Sequence, residues 1–93
     1  MPNVKILCIC NQFDAYANIV VADYSNDTQT PATTFALDSI AEGIHAGSKN
    51  YKTNDIILLG DNKEYLKGIR EIILSDYALN YANENINITI LGE

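Results

Sequence analysis

Two cysteines and one histidine are the residues best suited to nucleophilic chemistry or to binding a soft metal. Cys8 and Cys10 flank Ile9, so they would share one face of a strand, where their geometry disfavours a disulfide between them. A tetrahedral site would need two more soft ligands, and His45 is the only histidine. We therefore predict two buried thiols, no cofactor, no metal ion and no complete catalytic site.

Three basic residues form the second candidate site. Lys63, Lys67 and Arg70 fall on one side of a predicted helix, where they could contact phosphate or an acidic protein. Glu64 and Glu71 neighbour them at helical spacing and weaken their field, which favours an ordinary solvated face. The whole chain has 6 Lys and Arg against 12 Asp and Glu, a net charge of −6. This balance argues against direct nucleic-acid binding and suits contact with a basic protein surface.

The first elements that must position these side chains are predicted to form a β-hairpin. Residues 4–10 alternate in a strand-like pattern, and they are apolar on one face and mostly apolar on the other. Turn residues follow at 11–14, and residues 19–22 are apolar and largely β-branched. Two strands joined by a short turn are the expected result.

The first helix is predicted to start at Thr30, because a hydroxyl can cap free amides and Pro31 suits the first helical position. An apolar stripe at helical spacing follows, made of Leu37, Ile40, Ala41 and Ile44. Gly47 is available as a stop. As an alternative, residues 28–35 pair as a third strand and the helix starts later.

The second half of the chain is predicted to contain the most buried strand and a long helix. Residues 56–59 are four consecutive apolar residues, the pattern of a central strand covered on both faces. Asp61 or Asn62 would cap the next helix, which should end near Asn80 or Asn83. Its apolar stripe consists of Leu66, Ile69, Ile73 and Tyr77.

Together these elements predict one α/β domain over residues 1–93, with the order ββ(β)αβαβ. Residues 86–90 alternate and should form a final edge strand. The central and final strands should be parallel, within a mixed four- to five-stranded sheet on which two helices pack. If both helices cover one face, the other face would need a partner or a polar coat.

The location expected for such a chain is the cytoplasm. No apolar run approaches the roughly 20 residues that cross a bilayer, so no membrane contact is predicted. The first ten residues lack the small-residue cleavage site of a signal peptide.

Residues 56–69 resemble the fourth strand and following helix of the ribonuclease H-like family, and the element order is similar over nearly the whole chain. The resemblance places Asp61 at the end of that strand and Asp38 where the family has a helical carboxylate. Nucleases of this kind hold two metal ions between carboxylates. The resemblance thus implies a nuclease-like site of Asp38 and Asp61, with Asp14 as a third carboxylate.

The carboxylate set is incomplete, so the resemblance implies a degenerate member of the family. The family's first strand carries an aspartate, where this chain has Cys8, Cys10 and Asn11, which are poor ligands for magnesium. Asp61 with Glu64 also fits a helix-capping pair. An enzyme is therefore the alternative hypothesis and not the preferred one.

Residues 24–30 resemble the phosphate loop of flavodoxin-like domains, because hydroxyl groups run from a strand into the predicted helix. The resemblance implies that Ser25, Thr28 and Thr30 could bind a nucleotide or flavin phosphate at the helix N-terminus. A polar turn that caps the helix is the alternative. Topology separates the two resemblances. If the first strand is the parallel neighbour of the central one, residues 11–14 lie beside Asp61; if the second strand is, residues 25–30 do.

Tyrosine is the most abundant aromatic residue, and three of the six tyrosines belong to the predicted second helix. Tyr65, Tyr77 and Tyr81 combine large apolar surfaces with hydroxyl groups, which suits a contact surface. The preferred hypothesis is a small acidic, non-catalytic interaction module that binds another protein or itself. A regulator, inhibitor or assembly factor encoded by a phage or mobile element would fit this description.

Overall fold

The computed structural model describes residues 3–93, which are built around a mixed β-sheet. The strands are β1 (Val4–Ile9), β2 (Tyr16–Asp23), β3 (Thr28–Gln29), β4 (Thr33–Ala36), β5 (Asp55–Leu59) and β6 (Asn87–Ile90). The helices are α1 (Ile40–Tyr51), which follows a 3₁₀ turn at Leu37–Ser39, and α2 (Lys63–Asn80). The predicted fold class and element order are confirmed, and the optional third strand is present as β3 and β4.

The sheet has the strand order β3-β2-β1-β5-β6, and β4 also pairs with β2. β1 is antiparallel to β2 and parallel to β5, which is parallel to β6. The predicted hairpin, the parallel pairing of the central and final strands, and the edge position of β6 are therefore all confirmed. The sheet has six strands, one more than the largest predicted number, because the third segment is divided in two.

Both helices cover the same face of this sheet. Alternate strand residues, among them Ile6, Cys8, Ile56 and Leu58, are at most 1% exposed and form one core with the apolar stripes of α1 and α2. α1 packs on β1 and β2, α2 packs on β5 and β6, and the helices touch each other. Over residues 3–93, no helix combines the length and apolar character needed to cross a membrane.

The first helix begins at Ile40, and the predicted start at Thr30 and Pro31 is wrong. Thr30 behaves as a strand residue instead: its N–H donates to the Val21 carbonyl at 3.0 Å, and its hydroxyl accepts from the Val21 N–H at 3.0 Å. These bonds occupy the hydroxyl that would have capped a helix. The alternative, a third strand followed by a later helix, is correct.

The ends of the helices differ from the predictions in two further places. α1 continues past Gly47 to Tyr51, and the chain leaves the helix at Lys52, whose φ of 55° lies in the left-handed region. α2 is capped by Asn62, which confirms one of the two predicted caps, since its side chain accepts a hydrogen bond from the Tyr65 N–H at 2.9 Å. The alternative cap, an Asp61–Glu64 pair, is wrong. The predicted end at Asn80 is confirmed.

Candidate interaction surface

The three aspartates of the nuclease-like hypothesis lie at one end of the sheet. β1, β4 and β5 run in the same direction, so Asp14, Asp38 and Asp61, which follow these strands, are near the same edge. Within residues 3–93, however, no three His, Cys, Asp or Glu side chains form a group that could hold a metal ion. A shared metal site of these aspartates therefore lacks geometric support.

Asp61 has a structural role in this region. Its Oδ1 accepts a hydrogen bond from the Gln12 N–H at 2.9 Å, and Asn62 donates to the Gln12 side chain at 3.1 Å. The turn after β1 is thereby joined to the start of α2, as expected if β1 and β5 are parallel. Burial raises the pKa of the nearby Tyr65 phenol, and the charges of Asp14 and Asp61 are among the groups that raise it further.

The proposed phosphate-binding residues lie in a strand-to-strand connection. Ser25 is in the turn after β2, and Thr28 is the first residue of β3. The Ser25 N–H donates to Asp23 at 3.0 Å, and the helix N-terminus expected at Thr30 is absent from this segment. The helix N-terminus on which the flavin or nucleotide hypothesis depends is therefore not formed at this segment, and the hypothesis loses that support.

The three tyrosines proposed as a contact surface do not form an exposed helix face. Tyr77 is only 4% exposed and belongs to the core, where its hydroxyl has no hydrogen-bond partner among the described residues. Burial, helped by Glu84 and Tyr81, raises the pKa of Tyr77 to about 12. Tyr81 follows the helix and stacks on His45 with ring centroids 3.7 Å apart, and Tyr65 is half-buried.

His45 takes part in a small charged cluster between α1 and the segment before β6. Its Nε2 lies 2.5 Å from Glu84, which also pairs with Lys49 one helical turn along α1. The hydrogen bonds from Lys49 and His45 lower the pKa of the Glu84 carboxyl. This cluster joins the chain entering β6 to α1, and sequence spacing alone could not reveal it because Glu84 is 39 positions from His45 and 35 from Lys49.

The basic residues on α2 are occupied by local partners. Lys63 donates to the carbonyl of Gly92, Lys67 lies 3.1 Å from Glu64, and Arg70 lies 3.2 Å from Glu93. The contacts of Lys63 and Arg70 tie the segment after β6 to α2, and Glu64 and Glu93 offset the positive charge of Lys67 and Arg70. The solvated-face interpretation of these residues therefore agrees with the structure.

The two cysteines are buried, as predicted. Their sulfur atoms lie 3.6 Å apart under the helices, and both residues are 0% exposed. The hydrogen bond with Cys10, together with burial, raises the pKa of the Cys8 thiol well above its ordinary value. A buried thiol that stays protonated, as Cys8 does, is a poor nucleophile and a poor metal ligand. The same hydrogen bond lowers the pKa of the Cys10 thiol.

A surface that the predicted site residues do not include lies on the side of the sheet away from the helices. Here five apolar side chains lie next to one another: Leu7, Ile9, Val20, Ile57 and Leu59. We call these five residues the open sheet face. Leu7, for example, is directly beside Val20 on one side and Ile57 on the other. None of the five belongs to the core cluster under the helices or packs against it, although Val20 is only 8% exposed and the other four are half-buried.

The prediction that residues 56–59 are covered on both faces is therefore wrong. Ile56 and Leu58 are buried under the helices, whereas Ile57 and Leu59 are only half-buried on the open sheet face. The continuous apolar run was a correct sign that both faces of β5 avoid water. It could not show that this chain supplies a covering layer for only one of them.

Polar side chains border the open sheet face. Lys5 and Asp55 form an ion pair of 3.2 Å across β1 and β5, and Thr34 donates to Asn18 at 3.0 Å on the β2–β4 side. Among the strand residues that point to this side within residues 3–93, only Lys5 and Asp55 are charged. The face is therefore electrically neutral, although the chain has a net charge of −6.

A shallow cleft of about 500 Å³ opens at the other end of the sheet from the three aspartates. Its lining includes Asn3, Lys52, Asn54 and Asn87, and none of the predicted site residues. Comparison with known proteins does not assign a role to any of these places: no protein-family model matches the chain, and neither a curated protein nor a solved structure is similar to it.

Proposed function

We propose that this chain is a small, acidic, non-catalytic interaction module that binds protein through the open sheet face. The observation that carries the proposal is the apolar row on β2, β1 and β5, which neither helix covers. Parallel strands that are apolar on both sides normally occur where both faces of a sheet are packed. Contiguous apolar surface bordered by polar residues is typical of a protein contact site.

The free energy gained by covering this apolar surface favours binding over exposure of the face to solvent. Each 100 Å² of apolar surface that a partner covers contributes roughly 2.5 kcal/mol at about 25 cal/mol per Å². Ordering and association costs consume a large part of this, so the face alone suits a reversible contact. We propose that such a module acts in the cytoplasm as a regulator, inhibitor or assembly factor, encoded by a phage or mobile element.

Neither alternative function has a comparable observation in its favour. The nuclease-like hypothesis, and with it the resemblance to the ribonuclease H-like family, would need a third carboxylate beside Asp38 and Asp61. The phosphate-binding hypothesis would need a helix N-terminus near Thr30. The proposed contact surface is therefore the open sheet face and not Tyr65, Tyr77 and Tyr81.

The experiment compares two charged substitutions during affinity purification of the tagged chain from its native cell. Leu7→Lys puts an ammonium group in the middle of the open sheet face. Ile72→Lys puts the same group on the outer side of α2, where Ile72 is 46% exposed. We expect the wild type and Ile72→Lys to retain the same stoichiometric protein companion, or a second copy of the chain, and Leu7→Lys to lose it.

We expect Leu7→Lys to fold, since lysine at a half-buried strand position can extend its charge into water. Circular dichroism of both variants serves as the control for folding. If folded Leu7→Lys keeps the companion of the wild type, the proposed function is wrong.

A further inference from the structure

The proposed function implies that another molecule covers the open sheet face, and the identity of that molecule rests on this proposal. We infer that it is a second copy of this chain, packed sheet against sheet about a two-fold axis that runs between β1 and β5 along the strands. Three rows of side chains and the charges at the border of the face lead to this assignment.

The rows are defined by the pairing of β1 with β5. Lys5 lies beside Asp55, and the next two rows pair Leu7 with Ile57 and Ile9 with Leu59. A two-fold axis between these strands places each β1 residue opposite the β5 residue of its own row in the second copy. Every apolar residue of the two strands then meets an apolar residue.

The single cation and the single anion of these rows are matched by the same operation. Lys5 faces the partner's Asp55, and Asp55 faces the partner's Lys5, so each ion gains a second opposite charge. No other placement of the axis between these strands leaves all three rows matched. A C2 interface requires this kind of self-complementarity, because the same patch is used by both subunits.

Charge also favours a second copy over a basic protein partner. Lys5 and Asp55 cancel, so this face has no net charge, and the excess of 12 acidic over 6 basic residues lies elsewhere on the chain. A basic partner would find no net attraction here. Two copies that each have a net charge of −6 repel least when they approach through their neutral faces.

The geometry and size of the face set the expected strength. Two sheets that pack face to face keep their strand directions within about 30° and lie about 10 Å apart, which agrees with an axis along the strands. Four strands about 4.8 Å apart and about six residues long give a flat area of roughly 400 Å². This is about half of the ~800 Å² that each partner buries in a standard complex, so we expect a weak, concentration-dependent dimer.

The test is a charge-swap experiment by analytical ultracentrifugation, over about 10 μM to 1 mM, the range that resolves micromolar to millimolar affinities. Lys5→Glu and Asp55→Lys are made singly. In a homodimer of either variant, like charges face each other, so we expect dimerisation at least tenfold weaker than in the wild type. In an equimolar mixture, opposite charges face each other in both contacts, so we expect dimers to return.

Recovery of dimers in the mixture distinguishes a contact between chains from the Lys5–Asp55 ion pair within one chain. Mixing cannot restore the internal pair, because each chain still has one of the two residues substituted. Lys67→Glu and Asp38→Lys make the same charge changes away from the face and should dimerise as the wild type does. The expected wild-type mass rises from 10.3 kDa towards twice that value as concentration increases.

A wild type that stays monomeric over the whole range overturns the inference, as does a mixture that recovers no dimer. If the wild type is monomeric while Leu7→Lys still removes a different protein companion in affinity purification, the inference fails and the proposed function stands. If Leu7→Lys affects neither dimer nor companion, both fail.

Discussion

At Gly60 the chain leaving β5 passes close to the backbone that follows β1. A Cβ atom at this position would lie 1.9 Å from the carbonyl oxygen of Cys10, which is a backbone atom and cannot rotate away. The Cys10 N–H donates to the Leu59 carbonyl at 2.9 Å, so the β1–β5 pairing continues up to this point. Any side chain at Gly60 must therefore push the two strands apart.

We expect Gly60→Ala to lower the free energy of unfolding by about 2 kcal/mol or more, in the range of overpacked sites. Gly68→Ala is the matched control, because nothing lies within 4 Å of a Cβ there. Alanine in an exposed helix should stabilise the chain by about 0.5–1 kcal/mol. Urea unfolding of the three proteins measures both effects, and equal stabilities of the two variants would contradict the prediction.

Glu84 makes stability depend on pH. Its pKa lies below the ordinary value of 4.5 in the folded chain, chiefly because of the hydrogen bond from Lys49 and then that from His45. A carboxyl with a depressed folded pKa stabilises the fold above its unfolded pKa, and this contribution is lost as pH falls through the folded value. We therefore expect wild-type stability to decrease as the pH falls below about 4.5.

The variant Glu84→Gln should be less stable than the wild type at pH 6 and should lose less stability between pH 6 and pH 3. Glu71→Gln, on the exposed side of α2, is the control and should follow the wild-type curve. Urea midpoints at several pH values measure this. Parallel curves for wild type and Glu84→Gln would show that the Glu84 cluster does not contribute.

At the scale of elements, α2 depends on its first turn. Asn62 accepts a hydrogen bond from the Tyr65 N–H and also contacts Gln12, so it joins the helix cap to the turn after β1. We expect Asn62→Ala to cost about 1 kcal/mol, the usual effect of losing a cap. Glu64→Ala should cost less than about 0.5 kcal/mol, because it removes only an exposed ion pair.

Thermal or urea unfolding compares these two variants. A larger loss for Glu64→Ala than for Asn62→Ala would mean that the capping pair predicted from the sequence is the correct interpretation after all.

Local patterns were enough to predict most elements, and they failed where a hydroxyl had two possible roles. The stripes of both helices and the alternation of the strands were visible because they repeat over many residues. Thr30 and Pro31 looked like a helix start, but the decisive partner of Thr30 is Val21 on a neighbouring strand. A contact between strands of this kind is set by tertiary pairing, which no local window contains.

At the scale of the whole molecule, the candidate surface was only partly predictable. The apolar residues on both sides of β1 and β5 indicate two faces that avoid water, and residues 3–93 contain only two α-helices. Nothing in the spacing of Leu7, Ile9, Ile57 and Leu59 distinguishes a face covered by this chain from one covered by another. The tyrosines were a weaker guide, because an aromatic residue at helical spacing, such as Tyr77, is as suitable for the core as for a surface.

The pairing of β1 with β5 also matters while the chain is being synthesised. Lys5 and Asp55 are 50 positions apart, so one edge of β1 has no strand to pair with until the ribosome has made β5. The segment from the end of β4 to the end of β5 takes roughly one to five seconds to translate at about 5–20 residues per second. During that interval the nascent polypeptide presents an unpaired apolar edge, which is a template for misassociation with neighbouring chains on the same messenger.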